Sequence, residues 1–155
     1  MFCILFINTF IKRENENNKN GYHDQCKARK IWDVLTDFES YPVWNPFIKK
    51  ISGTKEVGEQ LIVQIQPPEG NSMRFKPIVL RFDPKKEFRW EGKFLIKGLF
   101  DGEHYFILND NNDGTTKFIQ GENFSGLLIN FFEHLLEKTK NGFVLMNEAL
   151  KKQCE

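Results

Sequence analysis

Residues 87–124 read EFRWEGKFLIKGLFDGEHYFILNDNNDGTTKFIQGENF, and the fold turns on how this stretch alternates. From Glu87 to Phe94, the side chains of Phe88, Trp90 and Phe94 fall on one side and those of Arg89, Glu91 and Lys93 on the other. A period of two marks a half-buried strand, because successive Cβ atoms leave opposite faces of a pleated backbone. From Asp101 to Asn109 the same alternation groups His104, Phe106 and Leu108, and from Thr115 to Phe124 it groups Phe118, Gln120, Glu122 and Phe124. The intervening Asp110-Asn111-Asn112-Asp113-Gly114 has the composition of a hairpin loop.

The pattern continues upstream. Phe47–Ser52 reads as a short strand, and Gln60–Gln66 places Leu61, Val63 and Ile65 on one face with Ile62 opposite. Pro67-Pro68-Glu69-Gly70 is a turn, Met73–Phe82 alternates Met73, Phe75, Pro77 and Val79, and Asp83-Pro84 turns again. Strands joined by such short turns form an antiparallel meander.

Two helical signals flank the strands. Before them, Ala28, Ile31, Trp32 and Leu35 recur at i, i+3, i+4 and i+7, so a helix is expected to run from a cap at Asp24 to about Thr36. Asp37 to Pro46 (DFESYPVWNP) carries two prolines and should hold one short helical turn and a tight loop. After the strands, Leu128, Phe131, Phe132, Leu135, Leu136, Phe143, Met146 and Leu150 make a broad apolar stripe at helical spacing. That helix is expected from Leu127 to Lys152, capped by Ser125, with Asn141-Gly142 as a candidate kink.

The front of the chain is different. Met1–Ile11 (MFCILFINTFI) is apolar but lacks the charged lead and small-residue cleavage site of a signal peptide. It is also shorter than the roughly 20 residues that cross a bilayer. A buried strand is the plain reading; an interfacial anchor, or a stretch with no defined structure, is the alternative. Lys12–Asn20 (KRENENNKN) has no apolar residue and reads as a solvated linker. The division expected is residues 1–22 as apolar run and linker, and 23–155 as one domain, which suits a chain of 155 residues.

Composition narrows the function. Hydrophobic residues are 40% and charged residues 28% of the chain, as in ordinary globular domains. Sixteen Phe, three Trp and three Tyr exceed what a core of this size needs, so some are expected to line a cavity. A net charge of +1 and basic clusters no longer than pairs argue against nucleic acid. Three cysteines, none at metal-site spacing, fit no disulfide framework and point to free thiols in the cytoplasm. His23, His104 and His134 lie far apart without carboxylates at ligand spacing, and neither a phosphate-binding glycine loop nor a serine triad occurs. No metal, cofactor or stable membrane insertion is expected, and the oligomeric state stays open between monomer and dimer.

A sheet wet on both faces could not use so many aromatic rings, so it should curl and cover one face with the terminal helix. At this point several motifs converge. Ile31–Phe38 (IWDVLTDF), Tyr41–Phe47 (YPVWNPF), Phe88-Arg89-Trp90, Leu99–His104 (LFDGEH), Phe124–Leu128 (FSGLL), Gly142-Phe143 and Met146–Leu150 stand in an order and spacing that resembles the START-like, or SRPBCC, superfamily. The resemblance is to its polyketide cyclase/dehydrase and lipid-transport branch and runs from about Cys26 to Lys152. It implies an α+β helix-grip fold. In that fold a curved antiparallel sheet of six to seven strands wraps around a long C-terminal helix, two short helices follow the first strand, and a deep cavity is enclosed. The chain departs from that pattern at the front, where the family runs its first strand almost directly into the first helix.

The implied function is binding of a small hydrophobic ligand of lipid, polyketide or isoprenoid type between sheet and helix. Alternation assigns the inner wall to Val63, Phe75, Trp90, Phe94, His104, Phe106, Phe118, Gln120 and Glu122, and the helix adds Phe132, Leu136, Phe143 and Asn147. Plain core packing would account for most of the apolar members equally well. Trp44 and Asn45 match the family's Trp-Asn-Pro loop and are candidate ligand-binding residues at the rim, where Asn45 is expected to cap or bridge backbone groups, with direct ligand contact as the alternative. His104 and Glu122 are the candidates if the protein is an enzyme, as an acid–base pair for enolisation, cyclisation or dehydration. A one-residue slip in register would instead turn His104, Gln120 and Glu122 to water. A co-chaperone-like interaction domain is the further alternative; it would fill the cavity with Phe and expose an apolar patch.

Overall fold

The computed structural model describes residues 3–5, 28–94, 100–111, 113, 115–125 and 133–154. The element order is β1 (Cys3–Leu5), α1 (Ala28–Thr36), α2 (Tyr41–Trp44), β2 (Ile48–Ser52), β3 (Ile62–Ile65), β4 (Met73–Phe75), β5 (Ile78–Asp83), β6 (Glu87–Phe94), β7 (Phe100–Asp110), β8 (Thr116–Ser125) and α3 (Glu133–Cys154). This is the α+β helix-grip arrangement expected, with every strand pair antiparallel.

Hydrogen bonding divides the strands into β1-β8-β7-β6-β5 and β2-β3-β4. The stretch read as one strand from Met73 to Phe82 is broken at Lys76-Pro77, where proline brings no N–H to the ladder. Register nevertheless runs through the break. Ile65 faces Met73, Val63 faces Phe75 and Gln60 faces Ile78, one continuous antiparallel ribbon. Leu61 N donates to Pro77 O at 2.8 Å and Val79 N to Glu59 O at 2.9 Å, which seams the two sheets. Counting β4 and β5 as one bent strand gives seven strands in a single curled surface. β1 closes its edge by pairing Cys3 with Phe124 and Leu5 with Glu122, so the apolar start of the chain does supply a strand.

The two short helices sit where predicted. In α1 the buried residues are Ala28, Ile31, Trp32 and Leu35, the stripe seen in the sequence; Asp24, the expected cap, lies outside the described residues. Tyr41 O–H donates to the Leu35 carbonyl at 2.8 Å, taking up one of the acceptors that a helix end leaves open. Asn45 Oδ1 accepts from Phe47 N at 2.9 Å and Ile48 N at 2.8 Å, so this side chain starts β2.

Helix α3 continues without a break through Asn141-Gly142. The glycine has another cause: a Cβ at Gly142 would run into the Phe47 ring. Ser125 is the last residue of β8, and the expected helix start, with Leu128, Phe131 and Phe132, falls outside the described residues. Among the described residues no helix is long and apolar enough to cross a membrane.

A cavity over a glycine pair

Three cross-strand rows line the inner face of β6, β7 and β8. The first is Phe88, Phe106 and Gln120; the second is Trp90, His104 and Glu122; the third is Gly92, Gly102 and Phe124. The first row is solid core. Phe88 contacts Phe38, Phe82 and Trp90 with ring centroids 6.0, 5.2 and 4.8 Å apart, and Phe106 stacks on Phe118 at 5.8 Å. In the third row two facing strands carry no side chain at all, and the interior opens there. Large rings fill one half of the grip, and a glycine pair leaves the other half hollow.

The hollow measures about 110 Å³ as space for the centres of water-sized molecules. That is below the roughly 300–1,000 Å³ of a drug-sized site and suits a small guest. Its floor is Gly92 and Gly102, and its walls include Trp90, His104 and Phe124 from the sheet, Val63 and Phe75 from β3 and β4, and Leu136, Thr139 and Phe143 from α3. The N-terminal half of described α3 thus roofs the cavity. Its other half, through Met146, Leu150 and Cys154, is buried against the solid core. Arg74 and Lys93 also border the cavity. Strand alternation sets their side chains on the outer face, and Lys93 is paired there with Glu91 at 3.3 Å.

The predicted inner-wall residues separate along this division. Val63, Phe75, Trp90, His104, Glu122, Leu136 and Phe143 meet at the cavity. Phe106, Phe118, Gln120 and Asn147 are buried in the filled half and do not line it. Trp44 and Asn45 lie away from it, with Asn45 in the backbone-bridging role. The Phe94 side chain and all of Phe132 lie outside the described residues. Sequence reasoning missed the two glycines, although both sit at inward positions of alternating strands, and it missed Phe124 and Thr139.

His104 is the polar centre. It is buried, its ring stacks on Trp90 at 4.7 Å and 21°, and Phe143 meets it edge-on at 4.9 Å. Gln120 Nε2 lies 3.4 Å from His104 Nε2. An amide nitrogen can only donate, so in this orientation of Gln120 the His104 Nε2 takes the accepting role. Nδ1 faces Glu122 Oε2 at 3.8 Å, longer than a hydrogen bond. Gln120, His104 and Glu122 therefore form a polarised row ending at the cavity. The row has a cost: Gln120 Oε1 and both amide atoms of Asn147 are buried without a partner among the described residues, at roughly 1–3 kcal/mol each. Among the described residues no three His, Cys, Asp or Glu gather as a metal site.

Comparison with known proteins agrees with this architecture. The family model for polyketide cyclase / dehydrase and lipid transport matches residues 24–155. No curated protein matches the chain. Among solved structures, a hypothetical protein of Helicobacter pylori, jhp0584, superposes with a TM-score of 0.73 at 12% identity, over 99% of this chain and 88% of its own. The Zhui aromatase/cyclase from a Streptomyces species gives 0.72 at 12% identity, over 99% and 94%. Ara h 8.0201 gives 0.62 at 13% identity, over 99% and 98%. At these identities the likeness is one of fold.

Proposed function

From the premise that the chain belongs to the polyketide cyclase / dehydrase and lipid transport family of the START-like (SRPBCC) superfamily, we propose that it binds one small hydrophobic molecule in the cavity over the glycine pair. The observation that carries this reading is the blank third row: Gly92 faces Gly102 on the inner surface while every neighbouring inward position carries a large side chain. Apolar guest surface leaves water there at about 25 cal/mol per Å². The volume favours a small guest, a single ring or a short acyl or isoprenoid piece, over a polycyclic body. The exposed large hydrophobics among the described residues are few, Val43, Val57, Leu80, Val144 and Leu145, which supports this reading over a protein-docking one. The odd cysteine count keeps the cytoplasm as the proposed compartment.

The test is native mass spectrometry of the purified protein, with thermal denaturation against a panel of short alkanols, alkylphenols and monoterpenes. A guest at about 100 times its Kd adds about 2.7 kcal/mol, which raises Tm by several degrees in a chain of this size. Absence of both an adduct and any stabilisation across the panel would sink the reading.

One observation favours a second reading. His104 Nδ1 lies 3.8 Å from the Glu122 carboxylate on the cavity wall, beside a stacked indole, which is an arrangement for moving a proton on a bound enolisable guest. Replacing His104 or Glu122 by Ala should then abolish turnover; turnover unchanged in both variants ends that reading.

A further inference from the structure

We infer that the cavity selects guests whose head group donates a hydrogen bond, an alcohol, phenol or amine, and excludes carboxylic acids, with Glu122 as the residue that makes the choice. The inference rests on the ligand-binding reading and specifies its guest.

Three side chains bring polar atoms to the wall from inward positions: His104, Glu122 and Thr139. Glu122 is held with its side chain only 17% exposed, and it makes no hydrogen bond among the described residues. Its carboxylate lies over Gly102, where an added Cβ would touch Oε1, so it reaches the floor of the hollow. An ionised carboxylate offers about four acceptor sites and no donor. His104 Nδ1, at 3.8 Å, is too far to occupy any of them as a hydrogen bond. A guest O–H or N–H arriving in the cavity meets an acceptor with open lone pairs. The Thr139 hydroxyl, opposite on α3 and without a partner among the described residues, offers a second polar contact.

A carboxylate guest meets the reverse. It brings a second negative charge into a confined, low-dielectric space beside Glu122, and like charges there repel far more strongly than in water. Among the described residues, the lysine and arginine at the cavity both come from outward strand positions. Lys93 is engaged by Glu91 on the outer face, and Arg74 stands outward between the inward Met73 and Phe75.

The experiment compares octanol, octylamine and octanoate by calorimetry in mildly alkaline buffer, with tryptophan emission as a second readout, since Trp90 lines the cavity. The amine and the acid share a chain and each carries one charge, so an indifferent apolar hollow binds the two ions alike. The expected result is octanol and octylamine each binding at least about tenfold tighter than octanoate. Glu122→Gln, nearly isosteric and uncharged, should bring amine and acid within about threefold. The wild-type comparison needs no variant to fold. Octanoate binding as tightly as octylamine, or a preference unchanged in a folded Glu122→Gln protein, overturns the inference and leaves the ligand-binding reading standing. Failure of all three guests, together with the wider panel, overturns both.

Discussion

Adding one methyl group at Gly92 should strengthen the fold and weaken the site. A Cβ built there would stand 3.4 and 3.8 Å from Phe75 Cδ2 and Cε2 and 3.9 Å from the Gly102 carbonyl oxygen, ordinary contact distances without a clash. Gly92 is not among the positive-φ glycines, so alanine is compatible with its backbone. Two terms then favour the folded state: about 0.8 kcal/mol for the buried methyl and about 0.4–1 kcal/mol from reduced freedom of the unfolded chain. The sum, about 1–2 kcal/mol, corresponds to a Tm rise of about 2–8 °C at this chain length. The same methyl takes room from a hollow of about 110 Å³, with Phe75 and the backbone of β7 standing against it. Overpacking an occupied site costs about 1–3 kcal/mol, so a guest that fills the wild-type cavity should bind Gly92→Ala about five- to 150-fold more weakly. The assay is thermal denaturation of both proteins without guest, then calorimetric titration with octanol. A stabilised variant with unchanged affinity would show that guests bind somewhere other than over the glycine pair. A destabilised variant would show that the space beside Gly92 is already filled.

Two further outcomes test how the frame is held. Gly142→Ala should destabilise by about 1–3 kcal/mol, although alanine is worth about 1 kcal/mol more than glycine within a helix, because its Cβ meets the buried Phe47 ring; a gain in denaturation midpoint would refute that close approach. Burial, with Asp37 a lesser contributor, pushes the Tyr41 hydroxyl far above its ordinary range and keeps it protonated in the folded state. Its folded pKa is raised, so the stability it contributes is present below the ordinary value near 10 and lost as pH rises through and beyond it, at about 1.4 kcal/mol per unit. The stability difference between wild type and Tyr41→Phe, followed by urea unfolding, should therefore shrink above that pH, and a constant difference refutes the assignment.

The elements that follow local geometry were legible without coordinates. The apolar face of α1, the inward sets on β6, β7 and β8, and the stripe on α3 each depend on the pitch of a helix or the pleat of a strand, which neighbouring residues set by themselves. Asn45 was legible too, since an Asx side chain reaches backbone N–H groups two and three residues on. The break at Lys76-Pro77 went unread because the alternation continues straight across it.

What the amino-acid order determined alone is which side chains face inward and that they are too many and too bulky for a plain core. Where along that inward face the protein is solid and where it is hollow was decided by tertiary structure. Gly92 and Gly102 become a single gap only when the register of β6 on β7 sets them opposite each other. Phe106 and Gln120 become core, and Trp90 and Glu122 wall, only where α3 lies against the sheet. The physical reason is range: periodicity is written within a few residues, whereas register and the standoff of a helix depend on contacts between segments far apart in the chain.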